Sequence, residues 1–313
     1  MTGTVLSATD RPGPVWREYL ALCKPKVVQL LVFTAIVGMC LATRGFVPLN
    51  ALIFGTLGIG LAAAAGAAFN HVVDQRADAL MARTRSRPLP RGRIANAHAI
   101  AFATVICVVG LALLLAFVNV LTAVLTFASM VGYSVIYTMY LKRATPQNIV
   151  VGGAAGAMPP VLGWTAVTGT LDPYALLLFL IVFAWTPPHF WALAIHRHRE
   201  YARADIPMLP VTHGVDFTRL QVLLYTAMLF AISLLPFATG MCGPVYLAGA
   251  VYFGAGFLFH AMALYRDRQD ERLPMKTFGY SIHYLIGLFC FLLVDHYLPP
   301  IESLLPVGAA ASW

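Results

Sequence analysis

The chain has 313 residues, of which 59% are apolar and only 11% are charged. An average soluble domain is about 45–50% apolar and about 25% charged. This contrast, together with a mean hydropathy of +0.76, excludes a soluble globular enzyme, a disordered chain and a coiled coil. In a membrane protein, the formal charge of +8 bears first on orientation and then on an anionic ligand.

Stretches without Asp, Glu, Lys or Arg predict nine membrane-spanning helices. A spanning helix needs about 20 residues. Two stretches have 48 and 46 residues, so each holds two helices, with turns near Asn119 and near Gly240–Pro244. The stretches are 27–43, 45–73, 94–141, 144–171, 173–196, 220–265 and 277–294.

The basic residues predict the orientation of these helices. If the N-terminus lies inside, 20 of the 21 lysines and arginines fall in inside segments, and only Arg44 lies outside. Cytoplasmic loops carry such an excess of Lys and Arg. The sequence therefore predicts an all-α integral membrane protein, N-in and C-out. It has an inside segment 1–26, a single transmembrane domain 27–300 and an outer-face tail 301–313.

An acidic motif follows the second predicted span. Asn70, Asp74 and Asp78 are spaced i, i+4, i+8, which places them on one face of a helix. Two carboxylates one turn apart repel each other, and ionised groups at a membrane boundary are costly unless matched. Mg²⁺ resolves both problems, because it binds one or two carboxylates and bridges to substrate phosphates. The alternative is a solvated helix end with ordinary surface acids.

Basic residues accompany this acidic motif. Arg83 and Arg87 are again i, i+4, and the planar arginine fork suits phosphate. Lys142 and Arg143 open the third inside loop, where they either clamp phosphate or only set the orientation. Most of the other arginines between positions 76 and 93 are orientation signals or lipid contacts.

The loop after the sixth predicted span resembles the first acidic loop. Glu200 lies where a second acidic motif would begin, and Ala204 lies where its second carboxylate would be. Asp205 comes one residue late and is expected to point elsewhere. Glu200 is either a functional carboxylate or the partner of a local ion pair with Arg203 or Arg197.

His189 lies inside the sixth predicted span, directly after Pro187 and Pro188. An ionisable residue within a span is a functional candidate, and the alternative is a neutral, hydrogen-bonded histidine. Glu200 follows eleven residues later, about three helical turns, so one helix face would present both side chains. The run Gly152–Gly156 predicts close helix packing rather than a phosphate loop.

Several longer strings resemble one known family. Taken together they are similar to the haem-using branch of the UbiA-type intramembrane prenyltransferases, and the match covers nearly the whole chain. Besides the Asn70–Asp78 motif, the strings are RTRSRPLP at 83–90, TPQNIVVGGAAG at 145–156, WTPPHF at 185–190 and IPMLPV at 206–211.

The resemblance implies a nine-helix bundle with a central cavity, in which farnesyl diphosphate is joined to a vinyl group of haem B. It implies a bacterial inner membrane, active-site loops on the cytoplasmic side, Mg²⁺ as cofactor and no nucleic acid. A haem A synthase or oxidase assembly proteins are the expected protein partners. His189 would bind the porphyrin iron or handle a proton. The implied site comprises the metal ligands Asp74, Asp78 and Glu200, the catalytic residues Asn70 and His189, and the diphosphate ligands Arg83, Arg87, Lys142 and Arg143.

Two alternatives stay open at this point. One is a quinone-type prenyltransferase of the same fold, which would take an aromatic acceptor. The other is a secondary transporter for an anionic metabolite, which would place its charges near the membrane midplane on broken helices. The acids here lie at the inside ends of the second and sixth spans, which disfavours transport.

Overall fold

A computed structural model describes residues 15–82 and 84–298. Arg83 and the predicted outer-face tail 301–313 lie outside the described residues. Within that part of the chain, eight helices are long and apolar enough to cross a membrane. The count is nine if Val15–Leu22 and Pro25–Leu41, bent by 52°, form one span. The prediction of an all-α membrane protein is confirmed, and the eight or nine spans agree with the nine predicted.

The helices follow one another along the described chain, and the longest connection between them runs from residue 81 to residue 95. Two segments are π-helical, namely Ala51–Gly55, which begins the third helix, and Gly132–Leu141, which ends the fifth. The helices are α1 (Val15–Leu22), α2 (Pro25–Leu41), α3 (Ala51–Leu80), α4 (Asn96–Phe117), α5 (Val120–Leu141), α6 (Asn148–Thr168), α7 (Pro173–His196), α8 (His198–Arg203), α9 (Val215–Ala238), α10 (Pro244–Arg266) and α11 (Leu273–Tyr297).

Both tight turns predicted from the long apolar stretches are present. The first turn ends at Asn119, which is the N-cap of α5. Its Oδ1 accepts a hydrogen bond from the backbone N–H of Thr122 at 2.8 Å. Asparagine is among the preferred N-cap residues. The second turn lies between α9 and α10, where residues 239–243 are not helical.

Contacts between distant segments are found at both ends of the bundle. At one end, Arg93 pairs with Glu18 at 2.5 Å. At the other end, the Asp295 carboxylate accepts hydrogen bonds from the backbone N–H groups of Gly243 at 2.5 Å and Tyr246 at 3.0 Å. These pairings match the predicted inside and outside segments, and which end faces the cytoplasm stays a prediction.

Small residues allow the helices to pack closely. A Cβ added to Gly163 would lie 1.9 Å from the carbonyl oxygen of Ala35, so α6 meets the backbone of α2 at this point. Gly152 meets the ring of Tyr137, and Gly153 meets Thr186. The prediction of close helix packing is therefore confirmed for Gly152 and Gly153, whereas nothing lies within 4 Å of a Cβ added to Gly156.

A buried charge cluster as the candidate active site

The end of α3 carries the acidic motif into the protein interior. Asn70, Asp74 and Asp78 lie on one continuous helix, and they are 3%, 3% and 2% exposed. The predicted helix face is confirmed, and the alternative of ordinary surface acids is wrong, because burial of two carboxylates requires specific partners.

Two cations from separate loops pair with the two acids. Lys142 Nζ lies 2.6 Å from Asp74 Oδ2, and Arg87 Nη1 lies 2.7 Å from Asp78 Oδ2. The Asn70 amide also donates a hydrogen bond to Asp74 Oδ2 at 2.9 Å. The second oxygen, Asp74 Oδ1, is buried without a hydrogen-bond partner. The cluster thus contains one carboxylate oxygen with free capacity to bind.

A third cation joins the cluster from the chain before α2. Lys24 Nζ donates a hydrogen bond to Asn70 Oδ1. Lys24 lies in the break between α1 and α2 with φ 48° and ψ 61°, a left-handed conformation that costs a non-glycine residue about 1–3 kcal/mol. Sequence reasoning missed this residue, and the only signal was a lysine followed by Pro25 at the start of a span.

The π-helical end of α5 also contacts the cluster. Thr138 Oγ1 donates to the carbonyl of Tyr133 at 2.8 Å, five residues earlier, and accepts from Asn70 Nδ2 at 3.2 Å. Short π-helical segments occur frequently at functional sites. This segment leads directly into Lys142, and Arg143 lies beside it in the short helix Lys142–Ala144.

The loop after α3 folds back over the acids and so places Arg87. Thr84 Oγ1 donates to the carbonyl of Asp78 at 2.8 Å, and Gln75 Nε2 donates to the carbonyl of Leu89 at 3.1 Å. Both bonds tie the loop to the last turns of the helix. Arg87 therefore reaches Asp78, whereas the position of Arg83 lies outside the described residues.

The loop after α7 differs from the prediction. The helix that carries His189 ends at His196, because Arg197 adopts φ −112° and ψ 18°, and Glu200 lies on the separate helix α8. The prediction that His189 and Glu200 share one continuous helix face is therefore wrong. Within the described chain, Glu200 forms neither predicted ion pair, and its Oε2 is buried without a hydrogen-bond partner.

A pocket of about 220 Å³ lies between the two loops. Asp205 lines this pocket together with Asp74 of the first acidic motif, although the sequence predicted that Asp205 points elsewhere. Asp205 has a positive φ of 49°. The lining residues are Asp74, Arg76, Ala77, Leu80, Lys142, Ala204, Asp205 and Ile206.

The predicted metal ligands are only partly brought together. Among the residues that the structure describes, no three His, Cys, Asp or Glu side chains cluster closely enough to hold a metal ion. Asp74 and Asp78 share the buried cluster, and Glu200 is not gathered with them. The three-carboxylate metal site stays a prediction.

His189 lies apart from the charge cluster, in a packed aromatic setting. Its Nδ1 is 2.6 Å from Ser281 Oγ, and its ring stacks on Trp185 and Phe278 with centroid distances of 4.2 Å and 4.4 Å. The side chain is 8% exposed. The hydrogen-bonded histidine considered as the alternative is thus observed, between α7 and α11.

The arrangement of a buried acid pair and basic residues at the ends of membrane spans agrees with the family match. Residues 31–286 match the model of the UbiA prenyltransferase family. The chain belongs to this family, and it is therefore a prenyltransferase rather than an anion transporter.

Two relatives with high sequence identity have the same name, apart from a numeral. The chain is 61% identical to the protoheme IX farnesyltransferase of Methylococcus capsulatus, over 91% of this chain and 96% of the relative. It is also 61% identical to protoheme IX farnesyltransferase 1 of Pseudomonas entomophila, over 94% of this chain and 98% of the relative.

Two solved structures share the fold at low sequence identity. A digeranylgeranylglyceryl phosphate synthase has a TM-score of 0.75 and 17% identity, covering 90% of this chain and 99% of that one. A UbiA homologue from Archaeoglobus fulgidus, bound to GPP and Mg²⁺, has a TM-score of 0.63 and 16% identity, covering 88% of this chain and 99% of that one. The UbiA-like helical bundle is therefore confirmed.

Proposed function

We propose that the protein transfers a farnesyl group from farnesyl diphosphate to a vinyl group of haem B and so forms haem O. The observation that carries this proposal is the 61% identity to proteins named protoheme IX farnesyltransferase over at least 91% of the chain. The buried cluster supports it, because Lys142 and Arg87 pair with the two acids and Lys24 binds the neighbouring Asn70. Such a concentration of cations suits a diphosphate.

The basic residues would bind the leaving diphosphate. Lys142 and Arg87 each neutralise one carboxylate in the substrate-free protein, and they can turn to phosphate oxygens when these are present. Preorganised cations of this kind stabilise charge that develops in a transition state. Arg83 and Arg143, predicted as further diphosphate ligands, remain part of the proposal because they neighbour these residues in sequence.

The acidic residues fit a magnesium ion. Asp74 and Asp78 offer the hard oxygen ligands that Mg²⁺ prefers, and Asp74 Oδ1 has no other partner. Glu200 stays a proposed third ligand because its buried Oε2 has no hydrogen-bond partner, but it would have to move toward Asp74 and Asp78, since the three are not gathered in this structure. When bound, the ion would act as a Lewis acid on the diphosphate, and Asn70 would hold Asp74 in place through its hydrogen bond.

The proposed reaction breaks the C–O bond between the farnesyl group and diphosphate and forms a C–C bond to the vinyl carbon. A water molecule then adds to the other vinyl carbon, and its proton leaves to the diphosphate or to solvent. Charge is balanced because diphosphate departs as the anion. The apolar helices around the cluster would protect the allylic cation from premature reaction with water.

The site is proposed to open on the cytoplasmic side of a bacterial inner membrane. The support is the predicted orientation, in which 20 of 21 basic residues fall on one side. A cysteine introduced at Arg85, in the loop after α3, should react with an impermeant reagent only from the cytoplasmic side. Labelling from the periplasm would show that the orientation is the reverse of the predicted one.

The experiment that tests the function uses the purified full-length protein with farnesyl diphosphate, haem B and Mg²⁺. Haem O, identified by its mass, should appear in step with one released diphosphate per molecule. A parallel reaction with an aromatic acid acceptor tests the quinone-type alternative. Formation of a prenylated aromatic acid without haem O would show that the acceptor is an aromatic acid and not haem B.

His189 is proposed to act on the acceptor. His189→Ala is expected to lower haem O formation, while pyrophosphate binds normally because the residue lies apart from the charge cluster. If the imidazole binds iron, the visible spectrum of bound haem B will change in the variant. An unchanged spectrum with reduced turnover would assign the proton role instead. Normal turnover would leave His189 a packing residue, held by Ser281.

A further inference from the structure

His71 is a buried histidine for which the proposed mechanism has no use. Its side chain is 2% exposed, and both ring nitrogens, Nδ1 and Nε2, lack a hydrogen-bond partner. Burial of a polar group without a partner costs about 1–3 kcal/mol. A buried imidazole with both nitrogens free therefore indicates a site that is completed by a ligand.

The helix places His71 in register with the acid pair. His71, Asp74 and Asp78 are spaced i, i+3, i+7 on α3, so they lie along one stripe of the helix surface. The rise of 1.5 Å per residue puts His71 about 4.5 Å deeper along the helix axis than Asp74 and about 10 Å deeper than Asp78. His71 thus lies on the side of the cluster that faces the membrane-spanning part of the bundle.

The electrostatic surroundings of His71 are positive. The cluster beside it contains the three cations Lys24, Arg87 and Lys142 and the two carboxylates of Asp74 and Asp78. A neutral imidazole offers one N–H donor and one acceptor nitrogen. An anionic oxygen can accept a hydrogen bond from this N–H, and the excess of cations over carboxylates in the cluster favours such a group.

We propose that His71 is a further ligand of the isoprenoid diphosphate, donating a ring N–H to an oxygen of the phosphoryl group nearest the isoprenoid chain. This inference rests on the proposed function, in which the diphosphate head binds at the acid pair and the chain extends into the bundle. The deeper position of His71 then places it beside the phosphoryl group that carries the bond to be broken. A hydrogen bond there stabilises the leaving group as charge develops.

The test measures the affinity of inorganic pyrophosphate for the full-length protein by calorimetry, with and without Mg²⁺. Asn and Leu have nearly the same size, and only Asn has an N–H donor. His71→Leu should weaken pyrophosphate binding about tenfold or more, since a hydrogen bond to a charged group contributes about 1.5–3 kcal/mol. His71→Asn should stay within about threefold of the wild type, because the amide keeps a donor.

His260→Leu provides a matched control. His260 is a partly buried histidine on α10 that stacks on Tyr280 at a centroid distance of 4.6 Å, away from the charge cluster. Its replacement should leave pyrophosphate affinity unchanged. If His71→Leu fails to fold, the same comparison is made with His71→Gln and His71→Met, which again differ in the donor at similar length.

Three results would overturn the inference. Equal affinity in the wild type and the variant without a donor would show that His71 does not contact the anion. An equal loss of pyrophosphate affinity in the variant with an N–H donor and in its partner without one would show that His71 has only a structural role. Weakened haem B binding with unchanged pyrophosphate binding would assign the position to a haem propionate. Pyrophosphate binding can be measured without haem B. If the wild type binds pyrophosphate but forms no haem O, that result counts against the proposed function and not against this inference.

Discussion

Asp74→Asn and Asp78→Asn are each expected to lower the rate of haem O formation by about 10³-fold or more. Either change removes a charged oxygen ligand from the proposed magnesium site, and one lost electrostatic contact to the developing charge already costs about 10²–10³-fold. The measurement is haem O formed per minute at saturating farnesyl diphosphate and haem B. Excess chelator should stop the wild type, and added Mg²⁺ should restore it.

The same variants should lose stability for a separate reason. Asn at position 74 leaves the Lys142 ammonium, only 14% exposed, without its counter-ion, and breaking a buried pair costs about 3–5 kcal/mol. The double variant Asp74→Asn/Lys142→Met removes the stranded charge. It should recover thermal stability in detergent and remain inactive.

Asp216→Asn is the control, because Asp216 also pairs with an arginine, Arg268, and both side chains are more than 60% exposed. An exposed pair contributes about 0–1 kcal/mol, so this variant should match the wild type in stability and turnover. Near-normal turnover in Asp74→Asn or Asp78→Asn, or in excess chelator, would contradict the proposed metal role.

Lys24→Met is expected to raise the KM for farnesyl diphosphate and lower kcat/KM by about 10²-fold, because it removes one of three cations from a site that is shielded from water. Lys24→Arg should recover part of the loss, since the charge returns with a different shape. Steady-state kinetics against farnesyl diphosphate at saturating haem B separate the two constants.

Lys26→Met makes the same change two residues later, at an exposed position. Because only Lys24 reaches Asn70, Lys26→Met should behave as the wild type. Equal effects of the two variants would attribute both to the general charge of the inner surface. An unaltered kcat/KM in Lys24→Met would exclude Lys24 from the diphosphate site.

The number and order of the spans could be read from the sequence, because charged residues are confined to the ends of helices in a membrane. The length of the apolar stretch 94–141 required a turn, and Asn119 supplies it. The ends of helices were harder to place. The predicted span 45–73 stops at the first charged residue, whereas the observed helix continues to Leu80. The helix can continue because the two acidic side chains in its last turns are paired.

The acid pair could also be recognised from the sequence, because i, i+4 spacing on a helix is a local property. Its partners could not. Lys24 is 46 residues from Asn70, and Lys142 is 68 residues from Asp74, so these contacts depend on how the spans associate. The break at Arg197 likewise escaped the pattern, because the residues after His196 suit a helix and the tertiary structure of the loop interrupts it.

The position of the cluster at the ends of the spans has a consequence for biogenesis. Lys24 precedes α2, Asp74 lies in the last turns of α3, and Lys142 follows α5. Each apolar stretch can therefore partition into the bilayer individually with its charges still in water at the surface. The ion pairs close only when the inserted helices associate laterally. A truncated chain that ends before α5 would insert its first spans normally and leave Asp74 without its counter-ion.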